Sequence, residues 1–240
     1  MSDETAQSIL DHINELRSRL LRALVAVFVG VLISGAFGQR LLEWLARPVG
    51  GLEQMAAIEV TENLGVFMQV SLLGGVTLAM PVIVYQMWQF IRPGLLPNER
   101  RYVYVVVPAA TLLFLAGAAF AYFVMLPAAI PFLVGFLSIP TRPRPSNYVS
   151  FITSMCFWVG ISFEIPLIVF FLAKVRVINY KMLVSSWRTA IVAIAVIAAV
   201  VTPTGDPVNM ALMMVPLVIL YGLSIVLARV AYNPELEGTE

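Results

Sequence analysis

The chain has 240 residues, of which 60% are hydrophobic and only 12% charged, and its mean hydropathy is +0.90. That balance excludes a soluble globule of this size. Fifteen Lys and Arg against fourteen Asp and Glu leave a formal charge of +1, so no basic field points to nucleic acid. A single cysteine (Cys156) and a single histidine (His12) exclude an internal disulfide, a Cys/His zinc cage and a His-rich redox centre. No cofactor or metal is expected.

A helix crossing roughly 30 Å of hydrocarbon needs about 20 mostly apolar residues, and the apolar stretches of this chain number six. Ahead of the first, Ile9, Ile13, Leu16 and Leu20 recur at spacings of four, three and four. This predicts a helix with one apolar face, lying on the inner membrane surface. Its polar side carries Glu15, Arg17 and Arg19, and on spacing alone Glu15 and Arg19 form a weak i, i+4 pair. The first span runs from Ala23 to Gly38, reaching back to Leu20 if Arg22 snorkels to the headgroups.

Asn63 to Ile91 is free of charge for 29 residues and forms the second span. At its exit, Trp88 and Phe90 suit an aromatic belt. Pro93, Gly94 and Pro97 then stiffen a short loop that holds Glu99 beside Arg100 and Arg101. A rigid acidic loop of this kind receives a cation; alternatively, Glu99 pairs with its neighbours or opens the next helix. Tyr102 to Thr141 contains no charge over 40 residues and is interrupted by Pro127, Pro131 and Pro140. It reads as a span to about residue 126 followed by an irregular outer segment.

The fourth span, predicted to begin near Tyr148, contains Glu164, about 24 Å along the helix and toward its inner half. A carboxylate there costs about 2.5–3.5 kcal/mol if it faces lipid, so it faces protein or water. It reads equally as a proton relay, a polar contact for an entering ligand, or a neutral Glu bonded to a neighbouring helix. The fifth and sixth spans are read as short, about 17 residues giving roughly 25 Å, so that this end thins the bilayer or needs shelter. They are joined by a tight hairpin, Thr202-Pro-Thr-Gly-Asp-Pro207, in which Asp206 before Pro207 has the grammar of an N-cap. Asn209, Met210, Met213 and Met214 follow as an adaptable apolar surface with one amide.

The predicted spans are thus 20–38, 64–91, 102–126, 148–173, 187–203 and 207–228, in one membrane domain over 1–240. Arg17, Arg19, Arg22, Arg92, Arg100, Arg101, Lys174, Arg176, Lys181, Arg188 and Arg229 fall on one side; Arg40, Arg47, Arg142 and Arg144 fall on the other. Eleven against four predicts both termini in the cytoplasm. The acidic start has neither a signal-peptide nor a transit-peptide pattern, so a prokaryotic cytoplasmic (inner) membrane is the expected location. No internal repeat of the inverted transporter type is visible. No Gly-x-Ser-Gly with a partner His in another span, His-Glu-x-x-His, intramembrane aspartate pair or nucleotide loop is present, so an enzyme is not expected.

Five segments in order carry a resemblance: His12-Ile-Asn-Glu-Leu-Arg-Ser-Arg-Leu20; Tyr85-Gln-Met-Trp-Gln-Phe-Ile-Arg-Pro-Gly-Leu95 with Glu99-Arg-Arg101; Phe120-Ala-Tyr-Phe123; Ser162-Phe-Glu-Ile-Pro166; and Thr202-Pro-Thr-Gly-Asp-Pro207. Over roughly residues 8–230 the sequence resembles the TatC family, receptor subunits of the twin-arginine protein translocase. The resemblance implies an all-α membrane protein, a concave bundle of six helices with both ends inside, that binds twin-arginine signal peptides of folded substrates at its cytoplasmic face. Glu15 and Glu99 match the carboxylates of that recognition, with Arg17, Arg19 and Phe90 as neighbours. Glu164 matches a buried glutamate of the concave face, and Pro48 a proline of the first outer loop. Implied partners are the lipid bilayer, the single-span proteins TatA and TatB, and further copies of the receptor. TatA and TatB are expected along the last two spans, where Thr202, Asp206, Asn209 and Met210 lie. The sequence departs from the family pattern in having Met210 where a glutamine is frequent, and Gln69 near a frequent lysine. Transport would draw on the proton-motive force. The alternative reading is a proton-coupled transporter with Glu164 as its relay.

Overall fold

The computed structural model describes residues 2–92, 103–135, 142–202 and 206–231, with side chains from His12 onward. Among them there is no strand. The helices are α1 (Ser2–Ala36), α2 (Gly38–Leu45), α3 (Glu62–Ile91), α4 (Val103–Phe120), α5 (Leu126–Gly135), α6 (Pro145–Ser162), α7 (Ile165–Lys174), α8 (Tyr180–Ser185), α9 (Trp187–Val201) and α10 (Pro207–Ala231). Five stretches are long and apolar enough to cross a membrane, and α9 is a shorter apolar helix. Six spans fit this pattern. The chain forms two compact units, one of Met1–Leu42 with Phe67–Leu112, the other of Glu43–Val66 with Leu113–Glu240.

In the first unit, α1 and α3 approach through small residues. A Cβ placed on Gly75 would sit 2.5–2.7 Å from the side chain and backbone of Val31, and one on Gly74 would collide with Ser34. Ser34 and Ser71 are buried in the same unit. Without a hydrophobic drive between helices in lipid, close backbone contact supplies the attraction. Leu24, Phe28 and Leu32, spaced at four, are exposed on α1 and suit contact with acyl chains. The N-terminal amphipathic segment is not a separate surface helix: α1 runs 35 residues without interruption into the first span.

In the second unit, α10 packs against α7, α8 and α9. Ala173, Ala228 and Ala231 are buried there, with Val169, Phe170, Ile178, Tyr180 and Leu183 around them. The Tyr221 hydroxyl donates to the Leu183 carbonyl at 2.6 Å, fixing α8 to α10. The α4 and α6 helices meet closely: a Cβ on Gly160 would lie 2.8 Å from the Phe114 ring, and one on Gly117 would lie 2.9 Å from Gly160 Cα.

Three further sequence expectations need correction. The segment after residue 126 is helical as far as Gly135, where α5 ends, and residues 136–141 lie outside the described residues. A π-turn over Ala121–Met125 precedes it, with the Leu126 N–H bonded to the Ala121 carbonyl five residues back, and this widened register delivers Pro127 to the first turn of a new helix. The fourth span is not one helix from Tyr148: α6 starts at Pro145 and breaks at Phe163–Glu164, where Pro166 opens α7. The sixth span is not short. At 25 residues α10 is about 37 Å long, against about 22 Å for the 15 residues of α9. Residues 203–205, the centre of the predicted hairpin, lie outside the described residues.

Gly75→Ala tests the α1/α3 contact. Overpacking costs about 1–3 kcal/mol, a fall in Tm of about 2–4 °C per kcal/mol for a chain of this size. Gly65→Ala, whose Cβ meets nothing within 4 Å, is expected to leave Tm unchanged or raise it. Thermal unfolding in detergent reads both.

Candidate functional site

His12, Glu15 and Arg19 follow at three and four residues on α1 and therefore share a face. Arg19 donates to Glu15 Oε1 through Nε at 2.9 Å and also through Nη2. The other carboxylate oxygen, Oε2, lies 4.0 Å from His12 Nδ1. The His12 ring stacks on Phe90, with centroids 4.4 Å apart and planes 27° apart. Phe90 stands one residue before the end of α3, so the stack joins that end to the start of the first span. Glu15, Arg19 and Phe90 are thus gathered through His12.

His12 is the member that sequence reasoning passed over. Its spacing of three from Glu15 was the available signal. Arg17 is exposed and, two residues from Glu15, projects from the far side of the helix. Glu99 lies outside the described residues, as does the loop holding it. What remains is a half-buried carboxylate with an aromatic wall, and it already accepts a guanidinium.

A second constellation lies in the other unit. Glu62 is buried, and its carboxylate is ringed with donors. Oε1 accepts from Ser146 N at 3.0 Å and Ser146 Oγ at 2.7 Å; Oε2 accepts from Ile58 N at 3.0 Å and lies 3.5 Å from Arg144 Nη2. Arg144 also donates to Glu59 Oε1 at 2.9 Å, and its hydrogen bonds to Glu59 and Glu62 hold the guanidinium above its ordinary pKa. The start of α3 and the start of α6 are clamped together, because Glu62 caps an amide at the N-terminus of α6. Nothing in the spacing announced this clamp, which joins residues 82 to 85 apart.

Close by in the chain, two tyrosines satisfy the last carbonyls of α2. Tyr122 Oη donates to Trp44 O at 2.6 Å and Tyr148 Oη to Leu45 O at 3.1 Å, while Trp44 and Tyr122 stack at 3.9 Å. Pro48 follows, half-buried in the 3₁₀ turn Arg47–Val49. That turn closes on Gly50 and Gly51, at φ 96° and 102°, where only glycine avoids a steric penalty.

Glu164 occupies the break between α6 and α7 as the N-cap residue of α7. It is buried, and Oε1 has no hydrogen-bond partner among the described residues. At the start of α10, Asp206 acts as the cap expected. Oδ1 accepts from Asn209 N at 2.7 Å and Oδ2 from Asn209 Nδ2 at 2.8 Å. Asn209 and Thr202 are buried, the Thr202 hydroxyl donating to Ala198 O at 2.7 Å; Asp206 and Met210 are half-buried. No group of three or more His, Cys, Asp or Glu is arranged to hold a metal among the described residues.

These features define a class: an all-helical polytopic membrane protein whose charged groups cluster at helix ends and at one break within a span. The sequence profile described as Sec-independent protein translocase protein (TatC) matches residues 11–216, and the chain belongs to that family. The TatC protein of Deinococcus radiodurans is 36% identical over 92% of this chain and 86% of its own length. That of Aquifex aeolicus is 35% identical over 95% and 98%. A crystal structure of the twin-arginine translocase receptor TatC superposes with a TM-score of 0.83 at 36% identity, covering 92% of this chain and 99% of that one.

Asp206→Ala removes both bonds to Asn209 and is expected to cost about 1 kcal/mol, lowering Tm by about 2–4 °C. Asp206→Asn, which keeps an acceptor for the Asn209 amide, should lose less in the same unfolding measurement.

Proposed function

We propose that this chain is the receptor subunit of a twin-arginine translocase in a prokaryotic cytoplasmic membrane, with both termini inside. It acts by binding and assembly, as a transport component and not as an enzyme. The reading rests on one observation in a chain of this family: Glu15 holds a guanidinium by two donors beside the His12–Phe90 stack. A carboxylate so placed is suited to a signal-peptide arginine, because forked, charge-assisted pairs are what guanidinium offers and ammonium does not. Glu99 is assigned as the second carboxylate, for the second arginine. Arg17, Arg19 and Phe90 border them. The apolar part of the signal segment then passes into the membrane, and the proton-motive force drives export.

TatA and TatB are assigned to the surface around Pro48 and the turn from Thr202 to Met210. The chain forms one membrane domain over 1–240, self-associates in a receptor complex and binds no nucleic acid. Glu164 is assigned as a polar docking point inside the membrane. Its buried, unpartnered Oε1 also favours a second reading, in which it relays protons.

Glu15→Gln and Glu99→Gln are each expected to weaken binding of a twin-arginine peptide by about one to two orders of magnitude, the equivalent of about 1.5–3 kcal/mol for a hydrogen bond to a charged group. Membrane insertion should be unchanged. Peptide crosslinking in membranes, with a twin-lysine peptide for comparison, checks this; wild-type crosslinking by the Glu99 variant would overturn the assignment.

Glu164→Gln separates the two readings of that residue, since glutamine hydrogen-bonds but carries no titratable proton. Docking predicts that Gln retains much of the export while Glu164→Leu loses more. A relay predicts equal loss in both with peptide binding intact. Export into vesicles under an imposed proton gradient gives the outcome.

A further inference from the structure

We propose that Arg19 is a resident occupant of the receptor carboxylate, so that binding of a signal peptide exchanges one guanidinium for another on Glu15. The inference rests on the reading that Glu15 receives a peptide arginine. Both of the Arg19 donors, Nε and Nη2, converge on the same oxygen, Oε1, while Oε2 is left facing His12 Nδ1 at 4.0 Å. A carboxylate binds an incoming guanidinium best through both oxygens at once, in two parallel bonds. Oε1 cannot join such a fork while Arg19 holds it.

The exchange needs no movement of the backbone. Arg19 lies one turn from Glu15 on the continuous helix α1, and its long side chain withdraws by rotamer changes alone. Arg17, on the opposite side of the helix, cannot take this place. The empty receptor therefore keeps its acidic site paired beside the membrane surface, where a bare carboxylate would attract any cation. The hold is weak, because an i, i+4 ion pair on a helix shifts an equilibrium only about two-fold. A peptide that brings a second arginine for another carboxylate overcomes it.

The test uses the full chain in lipid nanodiscs and a fluorescent twin-arginine signal peptide as the probe. Arg19→Gln is expected to tighten peptide binding about two- to three-fold. In a Glu15→Gln background the same substitution should change nothing, because Arg19 acts only through that carboxylate. Arg22→Gln is the control for charge alone: Arg22 lies on the same face of α1, two turns from Glu15, and is exposed. Its loss should produce a smaller change than the loss of Arg19.

Weaker binding by Arg19→Gln would overturn the proposal, as would tightening that persists without Glu15 or is matched by Arg22→Gln. If Glu15→Gln leaves peptide binding untouched, the receptor reading itself fails and the exchange fails with it. If Glu15→Gln weakens binding and Arg19→Gln does not strengthen it, only the exchange fails.

Discussion

Inside a bilayer every backbone amide and carbonyl has to find its partner within the protein, because hydrocarbon offers none. Most of the architecture follows from that constraint. Continuous helices satisfy it without help, and at three departures among the described residues something else supplies the missing bonds. At the π-turn over Ala121–Met125 the hydrogen-bond register widens, with Pro127 placed in the next helical turn. At Phe163–Glu164 the amides bond back to Val159 and Ile161 and the Glu164 carbonyl accepts from Ile168, so the chain turns without leaving those groups bare. At the end of α2, tyrosine hydroxyls from α6 and from the π-turn take the terminal carbonyls.

The same rule explains the abundance of short polar side chains in so apolar a chain. Thr77, Thr111, Thr153, Ser162, Thr202 and Ser224 each turn their hydroxyl back to a carbonyl four residues earlier. That local bond makes a hydroxyl tolerable in the membrane and leaves the helix surface free for close packing. Glycine does the complementary work at Gly75 and Gly160, where a side chain would strike Val31 or Phe114. Carboxylates are handled differently from site to site. Glu62 is saturated with donors, Glu15 is held by a neighbouring arginine, and Glu164 keeps an oxygen unpartnered.

What could be read in the sequence was local. Long uncharged stretches mark spans because lipid penalises charge, Asp206 before Pro207 marks a helix start, and Glu15 four residues before Arg19 marks an ion pair. Each depends on residues within a turn or two of one another. The break before Pro166 was missed because a proline inside an apolar run is compatible with a kinked helix as well as with a new one. The continuation to Gly135 escapes the sequence for the converse reason: Pro127 and Pro131 suggest disruption, whereas a π-turn precedes Pro127 and α5 runs on through Pro131. The Glu62–Arg144 clamp had no sequence signal, since its partners share neither a helix nor a spacing. The His12–Phe90 stack was equally hidden, joining residues on separate helices.

That clamp also has a history in time. A chain made from its N-terminus outward exposes Glu62 well before Arg144 and Ser146 exist, the separations being 82 and 84 residues. Until the fourth span arrives, the carboxylate has to stay hydrated, which holds the start of α3 at the water's edge and discourages it from sliding inward. Arg144 and Ser146 then supply donors to the carboxylate. A fourth span threaded the wrong way would deliver its donors to the opposite leaflet and leave Glu62 unlatched. The ring of donors therefore closes only when the starts of α3 and α6 have come together.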